Sequence, residues 1–319
     1  MKEFLRILFA CDLHNSRRTF LKFLNACKIY RVDVAIISGD LTGKFIVPII
    51  EQANNTFSVN DRGRVYTINT VEELEKIKDN TLTRGGYPVQ FTKKEFDELV
   101  NDESKFHECF LRCQIAQIED WIRVIENRLK DTGILFFLSG GNDDPYEIES
   151  VTEKSDFVKH PEGRVVEIGE YEMMTLGYSN ITPWHCPRDI TEEEFAEKIK
   201  ALASKVRNMK KTIFNIHCPP YASGLDTAQA LDENLKPIIK YGNYVFVPVG
   251  STAVHEAIEK YQPMLGLHGH IHESGGVCKI NSTLCINPGS EYSEGTLRAV
   301  IINLDKGGKG VKSYIPVSP

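Results

Sequence analysis

Seven Asp, His and Asn residues fall just after short apolar runs: Asp12, His14, Asp40, Asn142, His217, His270 and His272. Two pairs, Asp12-x-His14 and His270-x-His272, have an i,i+2 spacing. In extended chain that spacing points both side chains one way and turns Leu13 and Ile271 toward the core. Imidazole nitrogen combined with carboxylate and amide oxygen suits Mn, Fe, Zn or Co. Without thiolates, the set is not a structural cysteine-type zinc centre. Two such ions about 3.5–4 Å apart need a bridging ligand, and Asp40, a lone carboxylate after Gly39, is the candidate bridge. Two dications, less two aspartates and one bridging hydroxide, leave a charge of roughly +1. That field would draw a phosphate ester and clamp its oxygens.

The elements around these residues are short. Apolar runs such as "FLRILFACDLH", "VDVAIISGDLTG", "GILFFLSGGNDD", "KTIFNIHCPP" and "PMLGLHGHIHE" end in polar turns, and helical patterns such as "SRRTFLKFLNACKIY" and "TEEEFAEKIKALASKV" separate many of them. Strands alternating with helices indicate an α/β fold, largely parallel in the first half and more mixed in the second. Such sheets bind ligands beyond the carboxyl ends of their strands, which is where the seven residues fall. Between Thr42 and Gly133 the pattern changes. "FSVNDRGRVYTIN" reads as a hairpin turned at Asp61-Arg62-Gly63, and "NTLTRGGYPVQFT" reads as a loop. A long amphipathic helix then carries Leu111, Ile115, Ile118, Ile122, Ile125 and Leu129 in one stripe, with Gly133 as its stop. One domain over 1–319, with an insertion at about 43–132, is the economical organisation.

Composition narrows the function classes. The chain has 319 residues, 41% of them hydrophobic, and a formal net charge of -6 with both signs spread along it. No basic stripe speaks for nucleic acid. The first apolar run is too short for a membrane span and has no cleavage pattern, so it reads as a first strand in a cytoplasmic protein. Eight cysteines occur without a CxxC pair. Cys109 and Cys113 share a helix face, as free thiols in a reducing compartment would.

The ordered blocks Asp12-Leu13-His14, Gly39-Asp40, Gly141-Asn142-Asp143-Asp144, His217 and Gly269-His270-Ile271-His272 resemble the calcineurin-like metallophosphoesterase superfamily. "NPGS" at Asn287–Ser290 resembles the loop that follows in many members. The resemblance implies a two-sheet β-sandwich flanked by helices, a four-layer α/β arrangement. It implies a first metal on Asp12, His14, Asp40 and His272, and a second on Asp40, Asn142, His217 and His270. It further implies hydrolysis of a small phosphorylated substrate by a metal-bridging hydroxide.

One block departs from the pattern. Where members usually carry a histidine near the leaving group, this chain has Asp143, which as a carboxylate accepts but does not donate and whose pKa two nearby dications would lower. Good leaving groups are then favoured, in phosphodiesters or activated monoesters. His185 in "ITPWHCP" is a candidate replacement donor. Asp144 is expected to be structural or to stand behind the ligands, His268 to stand behind the ligands or be packed, and His255 to lie on the surface or pack. The reading from another class is a non-catalytic, metal-containing scaffold on the same fold.

Overall fold

A computed structural model describes residues 4–53, 56–61 and 63–318. The chain opens with β1 (Phe4–Ala10), α1 (Arg17–Ile29) and β2 (Val34–Ser38). The stretch read from sequence as an insertion holds β3 (Phe45–Glu51), β4 (Phe57–Asp61), β5 (Arg64–Ile68), α2 (Val71–Thr83), β6 (Gly86–Phe91), α3 (Lys93–Val100) and the long α4 (Glu103–Leu129). Next come β7 (Leu135–Ser139), α5 (Glu147–Thr152), β8 (Val158–Lys159), β9 (Val165–Ile168) and β10 (Tyr171–Leu176). Short strands β11 (Ser179–Asn180) and β12 (Asp189–Ile190) precede α6 (Glu192–Ala203) and β13 (Thr212–Ile216). An arm of β14 (Thr227–Gln229), β15 (Ile239–Lys240), β16 (Asn243–Tyr244) and β17 (Phe246–Pro248) leads to α7 (Thr252–Tyr261). The last strands are β18 (Leu265–Leu267), β19 (Gly276–Ile280), β20 (Thr283–Asn287), β21 (Ala299–Asp305) and β22 (Val311–Val317).

Two six-stranded sheets stack face to face, in the orders β22-β21-β1-β2-β7-β8 and β19-β20-β18-β13-β10-β9. In the first, β1, β2, β7 and β8 are parallel and β21 joins β1 antiparallel. In the second, the parallel centre β10-β13-β18-β20 is flanked by antiparallel β9 and β19. The strands read as unbroken apolar runs because both of their faces are covered. On β2, Val34 and Ile36 face the second sheet, while Ala35 and Ile37 face α1 and α4. The far face of the second sheet is covered in the same way, with Phe214 and Ile216 packed against Phe195 and Ile199 of α6 and Val254 and Ile258 of α7. The layers are therefore helix, sheet, sheet, helix, as expected. Among the described residues, no helix is long and apolar enough to cross a membrane.

The inserted segment forms a further, four-stranded sheet in the order β5-β4-β3-β6. β4 and β5 pair antiparallel as the expected hairpin, although Arg62 at its turn lies outside the described residues. "NTLTRGGYPVQFT" is not the loop it resembles: it holds the last turn of α2 and all of β6, which pairs parallel with β3. The signal there is capping rather than periodicity. Thr70 with Glu73, and Thr92 with Glu95, form capping boxes at the starts of α2 and α3, supplying partners to otherwise free N–H groups.

Helix α4 belongs to the insertion at one end and to the main core at the other. Ile118, Ile122, Ile125 and Leu129 are buried in the cluster that includes α1 and the first sheet, with Ile115 half-buried beside them. Leu111, at the start of the stripe, is half-buried. Trp121 stacks on Phe20 of α1 with ring centroids 4.2 Å apart. Gly133 ends the helix after a short turn of 3₁₀ geometry, at φ 74°. Replacing Ile118, which is fully buried, by alanine should cost about 2–5 kcal/mol in urea unfolding followed by circular dichroism. A loss below about 1 kcal/mol would mean that the site collapses freely and α4 is not a core layer.

Candidate metal centre

Each proposed ligand sits where a central strand ends. Asp12 and His14 follow β1, Asp40 follows β2, and Asn142 follows β7. From the second sheet, His217 directly follows β13, and His270 and His272 follow β18. The pairs do not converge by the extended-chain alternation that their spacing suggests. Asp12, His14, Asp40 and His270 have φ of 54°, 40°, 43° and 68°, so the loops after β1, β2 and β18 turn through the left-handed region at a ligand. Leu13 and Ile271 are nonetheless buried, as expected. The turns are held by backbone bonds: Asp12 N–H to Gly39 O at 3.0 Å, His14 N–H to Asp40 O at 2.9 Å and Asn15 N–H to Leu41 O at 2.8 Å. Non-glycine residues in this region carry strain that surrounding structure must offset.

The ligand atoms form two groups, Asp12–His14–Asp40–His272 and Asp40–His217–His270, with Asp40 in both. Asp40 Oδ2 lies 3.5 Å from His14 Nε2, and its Oδ1 lies 3.3 Å from His217 Nε2, so one oxygen turns toward each group. Asp12 Oδ1 is 3.8 Å from both His217 Nε2 and His272 Nε2. His14 Nε2 and His272 Nε2 approach to 3.1 Å. Asn142 donates its amide to Asp189 Oδ1 at 2.9 Å, which leaves its buried Oδ1 without a partner. His217 Nε2 is buried and makes no well-formed hydrogen bond, with Asp40 Oδ1 beside it at 3.3 Å. Buried polar atoms left bare are rare and costly. A shell of bare nitrogens and oxygens around two carboxylates fits a pair of divalent cations.

Loops from both sheets are locked together behind the ligands. The buried Asp144 carboxylate accepts from Leu41 N–H at 2.9 Å, Thr42 N–H at 2.8 Å, Thr42 Oγ1 at 2.7 Å and Gly141 N–H at 2.8 Å. It joins the loops after β2 and β7, which is the structural role expected of it. Gly141 allows their close approach, because a Cβ there would run into Asp40 and would stand 2.8 Å from His217 Nε2. In the "NPGS" loop, Asn287 Nδ2 donates to Gly269 O at 3.3 Å and Ile271 O at 3.0 Å, while Ser290 Oγ donates to Asp12 O at 2.7 Å. His268 is packed, its Nδ1 2.8 Å from Ile216 O, and belongs to neither metal group. His255 is half-buried on α7, its Nδ1 2.8 Å from Tyr221 O.

The electrostatics suit cation binding. Burial and the nearby Lys44 hold His14 well below its ordinary pKa, and burial with the neighbouring His217 pulls His270 down to about 3. Both imidazoles are therefore neutral and available as ligands near pH 7. Burial also acts downward on His217, but the Asp40 and Asp12 carboxylates outweigh it and push His217 up to about 9. Burial acts upward on Asp40, but His217 and His14 outweigh it and hold Asp40 well below the usual carboxylate range.

Asp143 stands at the mouth of the site. Its Oδ2 lies 3.3 Å from Lys44 Nζ and 4.0 Å from His14 Nδ1. Burial and Asp40 push its carboxyl up to about 6, against the pull of Lys44; two bound dications would act in the opposite sense. His185 is not brought to the site. Its N–H closes a turn onto Thr182 O at 3.2 Å, the residue faces solvent, and its neighbours Trp184 and Cys186 line the cavity instead. Lys44 is a charged residue at the mouth of the site that the sequence did not mark. It lies four positions after Asp40, and only the folded loop shows which way it turns.

No family model matches the sequence. The uncharacterized protein MJ1162 of Methanocaldococcus jannaschii is 31% identical over 150 residues, which covers 46% of this chain and 61% of that relative. The match thus spans less than two thirds of the relative's length. Two solved structures align over 99% of both chains: one at 15% identity with a TM-score of 0.58, and TT1561 of Thermus thermophilus at 12% identity with a TM-score of 0.54. At such identities the likeness shows the fold alone, two stacked sheets with helices on both outer faces. Fold and Asp/His cluster together support the calcineurin-like superfamily that the sequence blocks resemble.

Because His217 is raised, its proton stabilises the metal-free fold below its unfolded pKa, and that contribution is lost as pH rises through about 9. A cation must displace this proton, so Mn²⁺ affinity should rise about tenfold per pH unit from 6 toward 9 and then level off. Calorimetry in buffers of different ionisation enthalpy should find about one proton released at pH 7 for the metal bound at the Asp40–His217–His270 group. An affinity that does not change with pH would contradict the protonated His217.

Proposed function

We propose that this protein is a two-metal phosphoesterase of the calcineurin-like superfamily, acting on phosphodiesters or activated monoesters of small phosphorylated molecules. The observation that carries the reading is the pair of ligand groups sharing Asp40, with buried ligand atoms that have no protein partner. Two divalent cations of the Mn, Fe, Zn or Co kind would supply Lewis acidity and an ionised water at neutral pH. The chain's own contribution is placement. Asp40 turns one oxygen to each group, Asn142 and His217 offer bare atoms, and Ser179 Oγ stands 3.1 Å from His270 Nε2. A scaffold would have no chemical need for these bare groups.

The substrate would enter a cavity of about 770 Å³ that has Asp40, Asn142, His270 and His272 in its lining. This volume suits a small molecule. Its walls include Phe110, Ile181, Pro183, Trp184, Val247 and Val249, and Lys44 is the one Lys or Arg among the described lining residues. An apolar wall with a single cation favours a neutral, flat ester substituent and gives little purchase to a nucleic-acid backbone, whose binding needs many cations. Eight free cysteines fit a cytoplasmic location.

Purified protein with Mn²⁺ should hydrolyse bis(4-nitrophenyl) phosphate faster than an alkyl phosphomonoester, and a chelator should abolish turnover. Asp40→Asn should lower kcat/KM by at least about a hundredfold, since it disturbs both metals. Trp184→Ala should raise KM about 3–10-fold, the loss of one aromatic contact, with kcat little changed. Absence of turnover with every divalent metal tried would reject the reading.

A further inference from the structure

We propose that Lys44, held by Asp143, is the group that meets the leaving-group oxygen, taking the place of the histidine that the Asn-Asp-Asp block lacks. This rests on the phosphoesterase reading above. Three observations lead to it. First, Asp143 follows the ligand Asn142 at the cavity lining, and its nearest cationic partner is Lys44 Nζ at 3.3 Å. Second, Lys44 is the one Lys or Arg among the described residues lining a cavity that also exposes Asp40, Asp143 and Glu273. Third, the backbone carrying Lys44 is fixed from the inserted segment.

That third point gives the pair its precision. Gly43 N–H donates to Tyr87 Oη at 2.7 Å, Tyr87 Oη donates to Gln117 Oε1 at 2.6 Å, and Gln117 Nε2 donates to Leu41 O at 2.9 Å. Gln114 Nε2 donates to Thr42 Oγ1 at 3.1 Å, which in turn donates to Asp144. Lys44 N–H donates to Gly85 O at 3.2 Å. A Cβ on Gly43 would stand 2.5 Å from Gly85 O, so the approach of strand β6 requires that glycine. The loop from Leu41 to Lys44 is thus pinned on both sides, and a rigid base holds a lysine far better than its flexible stem could alone. The Lys44 side chain remains 41% exposed and that of Asp143 32%, so both can meet a substrate.

The chemistry balances without a proton passing through either residue. Hydroxide, formed when water gives a proton to solvent, makes a new bond from oxygen to phosphorus, the bond from phosphorus to the leaving oxygen breaks, and the electron pair stays on that oxygen. Lys44 donates a hydrogen bond to the developing oxyanion, and solvent protonates it after release. Asp143 is a positioning residue. Its own charge would repel the leaving oxygen, and pairing with Lys44 turns the site's local charge from repulsive to neutral or attractive. The benefit grows as the leaving group becomes poorer, because more charge then develops on that oxygen.

The test is a series of aryl phosphodiesters whose phenols span several pKa units, assayed with the Mn²⁺-loaded protein. Lys44→Met should lower kcat about 10–100-fold with phenol as leaving group but under about 3-fold with 4-nitrophenol, as expected when a charge-stabilising donor is lost. Lys44→Arg should retain most activity, and Asp143→Asn should steepen the leaving-group dependence without reaching the Lys44→Met level. In the Lys44→Met background, Asp143→His should flatten the slope again. Calorimetric Mn²⁺ affinity should stay within about 3-fold in Lys44→Met, showing an intact metal site. An unchanged leaving-group slope in Lys44→Met overturns the proposal while leaving the phosphoesterase reading in place. A wild-type protein that binds Mn²⁺ yet turns over no ester overturns both.

Discussion

Carboxylates withdrawn from water are the constraint from which the rest of this molecule follows. Asp12, Asp40 and Asp144 are all buried where strands of the two sheets end. A lone buried carboxylate is costly unless it is paired or hydrogen-bonded. Asp144 is satisfied internally by four donors, and that settlement knits the loops after β2 and β7. Asp12 and Asp40 have fewer donors: His270 N–H reaches Asp12 and Asp143 N–H reaches Asp40, each at 3.1 Å, and His217 stands beside both. Burial drives His14 and His270 neutral, which leaves both carboxylates able to take a cation. The left-handed turns at Asp12, His14, Asp40 and His270 are the backbone cost of pointing these groups inward.

The inserted segment acquires a purpose in the same terms. It would be natural to treat the extra sheet as an ornament on the sandwich. Instead, Tyr87 on β6 and Gln114 and Gln117 on α4 reach back to the loop that follows Asp40, the aspartate shared by both candidate ligand groups. The buried glutamines interrupt a helix face that is otherwise apolar, and their amides serve the backbone at Leu41 and the hydroxyl of Thr42. One helix therefore serves two functions: its later turns pack on the first sheet, and its middle turns hold the edge of the site.

The candidate cluster was legible in the sequence because its residue types are sparse and chemically distinctive: an Asn, two Asp and four His at strand ends suggest metal whatever the detailed path of the chain. The α/β layering was legible from apolar runs that two covered faces make continuous. What escaped was whatever depended on tertiary contact. Residues 80–92 look loop-like because α2 buries little beyond Leu74 and Thr81, and β6 exists only because β3 lies beside it. The i,i+2 pairs converged for a reason other than strand alternation. Lys44 carries no local mark, and His185 was a reasonable donor only while the direction of its turn was unknown.

Because the ligands come from both sheets, with Asp12 near the start of the described chain and His272 well toward its other end, a bound cation would act as a staple across nearly the whole sequence. During synthesis the site has no partial form worth having. Asp12, His14, Asp40 and Asn142 emerge early and must wait, their carboxylates solvated, until β13 and β18 have been made and docked. β1 itself waits longer, since its second neighbour, β21, is made after every ligand. Capture of a cation would accordingly come late in the life of the chain, after both sheets have been made.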